Sequence, residues 1–432
     1  MDVFVLGNLG ACNSFFGKSY GLVRLSPTML MSLAPLRNNR EYRLLFLGQM
    51  VSFLGSMITY VAVPYQVYEL TKDNALVGMV SIAALVSVFA FGVLGGTYAD
   101  RLNRRRLLLV SEVLLGFSVI GLMVNASLER PSVPTIFILI AIKQAIAGFH
   151  RPAMEALSQS IVDKKDYAAI GALGSLRYSI GAILGPMLGG LLLAGFGVQG
   201  AFFVDLLTYV IAFISLALMK QLPKPAPSTK SPWTDAKEGV SFALSKPVLI
   251  GTYVTDIVAM VFAFPVALFP AMSQNWGGPK VVGLLFSAMA IGSLLVTLFS
   301  GWTSKVYHHG RGVIFSAALW GAFMMGVGFS NNLWLCVFFL ILAGGADMLS
   351  GLFRSVIWNE TVPNALRGRL SGIEMISYMT GPLLGNGRAG WVAAKYSVTT
   401  SLISGGVICF LAVLITAKCL PQFWRYRSEI KT

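Results

Sequence analysis

The chain has 432 residues, 56% of them hydrophobic and 12% charged, with a mean hydropathy of +0.72 and a net charge of +15. Soluble domains carry roughly 25% charged residues, so a water-soluble globule of this composition would expose large apolar patches and aggregate. That leaves an integral membrane protein, and the positive charge has to be placed on loops before it is read as a nucleic-acid footprint.

Residues 1–30 contain only short apolar runs and no cleavage site after a charged start, which does not fit a signal peptide. Either Met31 is the working start or these residues form a dispensable tail. Apolar runs long enough to cross a bilayer then follow near 44–68, 76–98, 107–126, 134–158, 168–195 and 200–219. After "KQLPKPAPSTKSPWTDAKEG", with the Pro, Lys and Ser content of an extended, solvated linker, a second set follows near 248–272, 281–302, 313–330, 333–358, 370–393 and 398–418. The runs are continuous, not alternating, which makes them helices and not barrel strands. The expected organisation is an N-terminal tail (1–36), a six-helix half (37–219), a cytoplasmic linker (220–246), a second six-helix half (247–420) and a cytoplasmic tail (421–432).

Lys and Arg set the orientation. Of 33 such residues, 24 lie in the tails and in the intervals after even-numbered spans, whereas the opposite loops hold only Lys72, Arg130, Lys280 and Lys395. Both termini are therefore expected in the cytoplasm, and the +15 charge reflects topology, with no nucleic-acid partner. The four cysteines form no CxxC pair and His150, His308 and His309 form no ligand cluster, so neither a disulfide framework nor a metal site is expected. No cofactor motif appears, and "GVLGGTYAD" is no phosphate loop because it ends a span with no strand before it.

The halves echo each other. "GPMLG" at Gly185–Gly189 returns as "GPLLG" at Gly381–Gly385, offset 196; Pro64 matches Pro270, offset 206; and Gly96–Arg106 aligns with Gly301–Arg311, offset 205. Parallel repeats about an axis along the membrane normal imply a central site between the halves, reached by rocking one against the other.

Charges inside spans are expensive and face a cavity or a partner. Arg151, Glu155, Arg354 and Glu374 lie near enough to span ends to snorkel. Asp256 and Asp347 have no basic residue within a turn in sequence, so one of them, or Glu374, is the candidate proton-coupling group. Lys143, Arg177 and Arg388 are candidates for attracting an anionic substrate, with Tyr60 and Tyr178 as possible cavity aromatics. The competing reading is static ion pairing of Lys143 or Arg177 with Asp205 or Asp256.

The loop "GTYADRLNRRR" resembles the signature between the second and third helices of the major facilitator superfamily, here Gly96, Asp100, Arg101, Arg104 and Arg105. Asn103 replaces the usual glycine and must then make the tight turn, as a residue that tolerates left-handed backbone. "GAILGPMLGG" is similar to that superfamily's antiporter motif, with Gly181, Gly185, Pro186, Gly189 and Gly190 in place. The resemblance covers about residues 37–420. It implies an all-α membrane fold of twelve helices in two pseudo-repeats, and a gate in which Asp100 caps a helix N-terminus of the opposite half. Arg104 would pair with Glu155 beside it. "VAVPYQVYELT", "GGTYADR" and "LFPAMSQNW" are similar to the siderophore-exporting branch, the enterobactin exporters and their relatives. The expected activity is proton-driven export of a siderophore or similar small metabolite across a bacterial inner membrane by a monomer that is not an enzyme. Multidrug or macrolide efflux by proton antiport is the alternative within transport, and a transport-dead receptor or scaffold the alternative outside it.

Overall fold

A computed structural model describes residues 32–220, 232–363 and 366–428, and within these the side chains of 89–90, 92–101, 232–238, 304–305, 368–369, 371–373 and 375–377 lie outside the described set. Among the described residues the chain is helical, with no strand. Residues 1–31, where the expected start at Met31 falls, are outside it.

The first half comprises α1 (Arg40–Thr71), α2 (Asn74–Arg101), α3 (Arg104–Ala126), α4 (Val133–Ser160), and one long helical run, Tyr167–Ala217, that bends at Gly197. Gly197 has φ 66°, a left-handed conformation open to glycine at little cost, and it divides the run into α5 (167–196) and α6 (198–217). The second half comprises α7 (Pro247–Ala263), α8 (Pro279–Leu298), α9 (His309–Phe329), α10 (Leu333–Thr361), α11 (Arg367–Lys395) and α12 (Val398–Cys419). Nine segments among the described residues are long and apolar enough to cross a bilayer. The bend at Gly197 makes two spans of one of them, and α2 and α11 add two more long helices, consistent with the expected twelve.

Local chemistry sets the helix starts. Asn103, Ser132, Asn332 and Ser397 each cap the helix that follows, accepting from the backbone N–H three residues on. Asn103 thus serves differently from the expected left-handed turn: its φ is −64° and its side chain accepts from Arg106 N–H. The span expected at 248–272 is interrupted. Phe264 is extended, as a residue before proline must be, Pro265 follows, and the chain resumes through a short 3-10 turn into Phe269–Gln274. The expected extended linker is helical over Pro232–Ser245, where Ala243 buries against Leu249, Val362 and Leu370. The C-terminal segment is likewise no loose tail: Phe423 is fully buried, and the Tyr426 hydroxyl donates to Glu360 Oε2 at 2.7 Å.

The repeat shows in the packing. α2 packs on α4 as α8 packs on α10, α3 on α4 as α9 on α10, α3 on α6 as α9 on α12, and α7 meets α11 and α12 as α1 meets the α5–α6 run. Between halves, α5 crosses α8 and α11 crosses α2. Both crossings are glycine on glycine. A methyl group at Gly190 would stand 3.0 Å from Gly283 Cα, and one at Gly390 would stand 3.0 Å from Gly78 Cα. These pairs, and Pro186 O beside Gly283 against Asn386 O beside Gly78, fix the α5-to-α11 correspondence at 200 residues. The repeat stands, but the matching GP-x-x-G strings are one helical turn out of structural register, because contact with the opposite half, not the proline, sets the register. Pro186 is matched by Asn386, whose side chain accepts from Ala267 N–H at 2.9 Å and donates to Ser81 Oγ at 3.0 Å.

Candidate functional site

Both glycine crossings lie at the bundle end opposite the termini. The same end carries a hydrogen bond between the halves, Gln274 Nε2 to Glu69 Oε1 at 2.7 Å, and one turn deeper Ser287 Oγ donates to Ile183 O at 2.7 Å. Towards the other end, among the described residues, the halves meet where Arg151 Nη1 approaches Met379 Sδ at 3.8 Å. The space between the halves is thus sealed at one end.

Several predicted residues face that space together. Tyr178 of α5 is 62% exposed and stacks on Phe53 with ring centroids 5.7 Å apart. It lies within electrostatic reach of Tyr60, of Arg151 on α4, and of Asp347 and Tyr378 on the other half. Tyr60 packs edge-on against Phe286 of α8 at 5.4 Å. Arg177 adds a second cation beside Arg151, and its Nη1 contacts Met154 Sδ at 2.9 Å.

The proton-coupling candidates converge on one cation. Arg354 reaches back along α10, forming an ion pair with Asp256 of α7 and approaching Asp347 Oδ1 at 3.9 Å. Asp256 is nearly buried, whereas the Asp347 side chain is 38% exposed. Glu374 of α11 lies within electrostatic reach of Arg354 and Asp256. Arg354, Asp256 and Asp347 alone sum to one excess negative charge, and Glu374 raises the excess to two.

Other predicted residues have partners within the protein. Lys143 Nζ lies 3.1 Å from Asp205 Oδ2, the static pair that the sequence offered as the competing reading. Arg388 donates to Phe262 O at 2.9 Å, Ser401 O at 3.0 Å and Ser404 Oγ at 3.1 Å. It ties Phe262 O, beside the break that ends α7, to the first turn of α12, and the sequence did not anticipate that break. Arg104 does not reach Glu155, which is exposed: its Nη1 donates to Ala156 O at 3.1 Å. Arg105 donates to Leu216 O at 2.8 Å and Ala217 O at 2.7 Å, closing the C-terminus of α6. Gly96, Asp100 and Arg101 end α2, with side chains outside the described set. Gly181, Gly185 and Gly189 let α1 approach closely: methyl groups at the last two would stand 3.2 Å from Leu54 O and 3.3 Å from Ile58 Cα.

One buried carboxylate was missed. Glu112 of α3 is 1% exposed and its Oε1 accepts from Gln49 Nε2 at 2.7 Å and His150 Nε2 at 2.9 Å. A lone acid amid "LLLVSEVLLGF" was a sufficient signal. A separate groove of about 470 Å³, lined by α2, α3 and α4 residues such as Phe91, Val110, Ile138 and Ile142, is almost wholly apolar and offers lipid tails, not charge, a surface.

Two pseudo-symmetric six-helix halves around a polar mid-depth space define a transporter of the major facilitator type. The chain belongs to the transmembrane secretion effector family, whose model matches residues 30–428. It is 27% identical over 403 residues to an enterobactin exporter, EntS, of Shigella flexneri, covering 92% of this chain and 96% of that one, and 27% identical over 404 residues to the EntS of Escherichia coli O81. The fold is shared with the nucleoside transporter NupG (TM-score 0.72, 15% identity, covering 89% of this chain and 99% of that one). It is also shared with a bacterial homologue of the iron transporter ferroportin in an inward-facing state (TM-score 0.67, 12% identity, 89% and 98%). These relatives are transporters, not enzymes.

Proposed function

We propose that the protein is a proton-coupled exporter of a siderophore-like anion, seated in the bacterial inner membrane with both termini cytoplasmic, as the Lys and Arg distribution requires. In that orientation the sealed end, where α5 crosses α8 and α11 crosses α2, faces outward. The observation that carries the reading is that Tyr178 lies within electrostatic reach of both Arg151 on α4 and Asp347 on the other half. Tyrosine faces suit aromatic rings, Arg151 and Arg177 supply positive charge, and Asp347 places a protonatable group beside the cargo.

Asp347 is the coupling carboxylate in this reading. It is the more exposed of the two acids, and its distance from Arg354 leaves it the weaker claim on the guanidinium. Asp256 positions Arg354. Protonation of Asp347 would weaken its attraction for Arg354 and alter the charge seen by cargo, so that proton and substrate binding compete, as antiport requires. The 27% identity to enterobactin exporters supports a catecholate cargo.

The test is proteoliposome transport with enterobactin as the probe. A pH gradient should drive accumulation, and Tyr178→Ala and Arg151→Gln should each reduce it severalfold while Asp347→Asn abolishes the dependence on the gradient. No enterobactin flux, with gradient-driven movement of a macrolide, would replace the siderophore reading with drug efflux.

A further inference from the structure

We propose that the buried Glu112–His150 pair is a second proton-binding site, placed in the N-terminal half. It rests on the transporter reading only for its role; its existence is testable without cargo.

Lys143 and Asp205 balance one another. Among the described residues, Glu112 has only neutral donors besides His150: Gln49 Nε2 at 2.7 Å and Ser52 Oγ at 3.5 Å. With a neutral imidazole this buried cluster therefore carries one excess negative charge, costly in apolar surroundings. One proton on His150 brings it to zero. Because Glu112 accepts from His150 Nε2, that nitrogen carries the hydrogen of the neutral ring, and Nδ1 is the atom that takes the proton.

No other described ionisable group substitutes for His150. From α4, Arg151 is exposed and turns to Met379 of the other half. From α5, Arg177 is directed to Met154. The described side chains of α2 include no ionisable residue, and α6 contributes Asp205, already paired, and Tyr209.

Geometry supplies both an entrance and a path. Glu112 is sealed, but the His150 side chain is 14% exposed and is the member a proton reaches first. Gln49, Ser52, Ser56 and Thr59 recur at helical spacing on one face of α1, extending about 15 Å along it. Ser56 bonds Tyr209 Oη at 2.9 Å, Lys143 sits 5.5 Å from the Tyr209 ring, and Thr59 donates to Asp205. A polar face thus joins the balanced pair to the unbalanced one inside a single half. His150 is also the neighbour in sequence of Arg151, placing its charge beside a contact between the halves.

The chain holds only three histidines, so His150 can be observed alone. Nitrogen-15 histidine spectra of the H308Q/H309Q protein in lipid nanodiscs, without cargo, should show His150 Nδ1 taking up a proton across a pH series. If that background folds poorly, subtracting the spectrum of H150Q from that of the unsubstituted protein isolates the same signal. In Glu112→Gln that doubly protonated form should be absent under the same conditions. An imidazole that never changes protonation, or changes identically without Glu112, overturns the proposal. With enterobactin as the transport probe, H150Q should lower gradient-driven accumulation at least about tenfold yet keep exchange without a gradient; full retention of gradient-driven accumulation also overturns it. A parent protein that moves no enterobactin refutes the cargo assignment, while the spectra still decide the proton site.

Discussion

Lys143 of α4 holds Asp205 of α6 at 3.1 Å, and the Asp205 side chain is wholly removed from solvent. Thr59 and Thr208 also donate to that carboxylate. A buried pair of this kind punishes removal of one partner more than removal of both, because the survivor is left as an uncompensated charge. Asp205→Asn should therefore destabilise the protein by roughly 3–5 kcal/mol. Combining it with Lys143→Met should recover much of the loss. Thermal unfolding in detergent, followed by tryptophan fluorescence, reads both; a double variant no more stable than Asp205→Asn would show that the pair is not the stabilising unit.

The two acids around Arg354 should separate by role. Asp347→Asn removes the exposed carboxylate and leaves the Asp256–Arg354 pair intact, so insertion and melting should hardly change while gradient-driven transport is lost. Asp256→Asn removes the close partner of a largely buried guanidinium, and should lower the melting temperature as well as transport. Parallel melting and flux measurements distinguish them. Equal losses of stability in the two variants would count against the division.

The arginine-rich loop should divide in the same way. Arg105 donates two hydrogen bonds to the last carbonyls of α6, whereas Arg106 is exposed and, among the described residues, only its backbone N–H is engaged, by Asn103. Hydrogen bonds from a charged donor contribute about 1.5–3 kcal/mol when well made. Arg105→Gln should then cost about 1–2 kcal/mol after allowance for exposure, and Arg106→Gln close to none. Comparing their melting temperatures with the parent tests this, and an equal effect of the two would return both residues to a purely topological role.

Composition and hydrophobic run length made the helical membrane architecture legible, because bilayer thickness constrains every span alike. The α5–α6 boundary was visible as the gap between the runs at 168–195 and 200–219, and the structure places the bend there, at Gly197 with φ 66°. What stayed hidden needed partners distant in sequence. Arg388 looked like a free cation until the structure placed Phe262 O, beside the break at Phe264–Pro265, within its reach from 126 residues away. His150 looked isolated because Glu112 is 38 residues off. The GP-x-x-G repeat misled by one turn because identical strings mark similar flexibility, whereas the crossings with α2 and α8 determine which residues are equivalent.

Those crossings also give a way to hold the transporter in one state. A methyl group at Gly190 would stand 2.8 Å from Pro279 O and 3.0 Å from Gly283 Cα, both backbone atoms that cannot turn aside. A larger side chain there should prevent the sealed end from closing and shift the population toward the opposite conformation. A shift that reverses a strong preference needs several kcal/mol of differential strain, which a leucine at such a crossing supplies more surely than an alanine. In a Gly190→Leu background, a cysteine at Tyr178 should become severalfold less reactive to a thiol reagent applied from the termini side, and more reactive from the other side. The native cysteines would be replaced in both backgrounds before labelling. Unchanged labelling from both sides, with normal melting, would mean that the glycine crossing is a packing contact and not the seal.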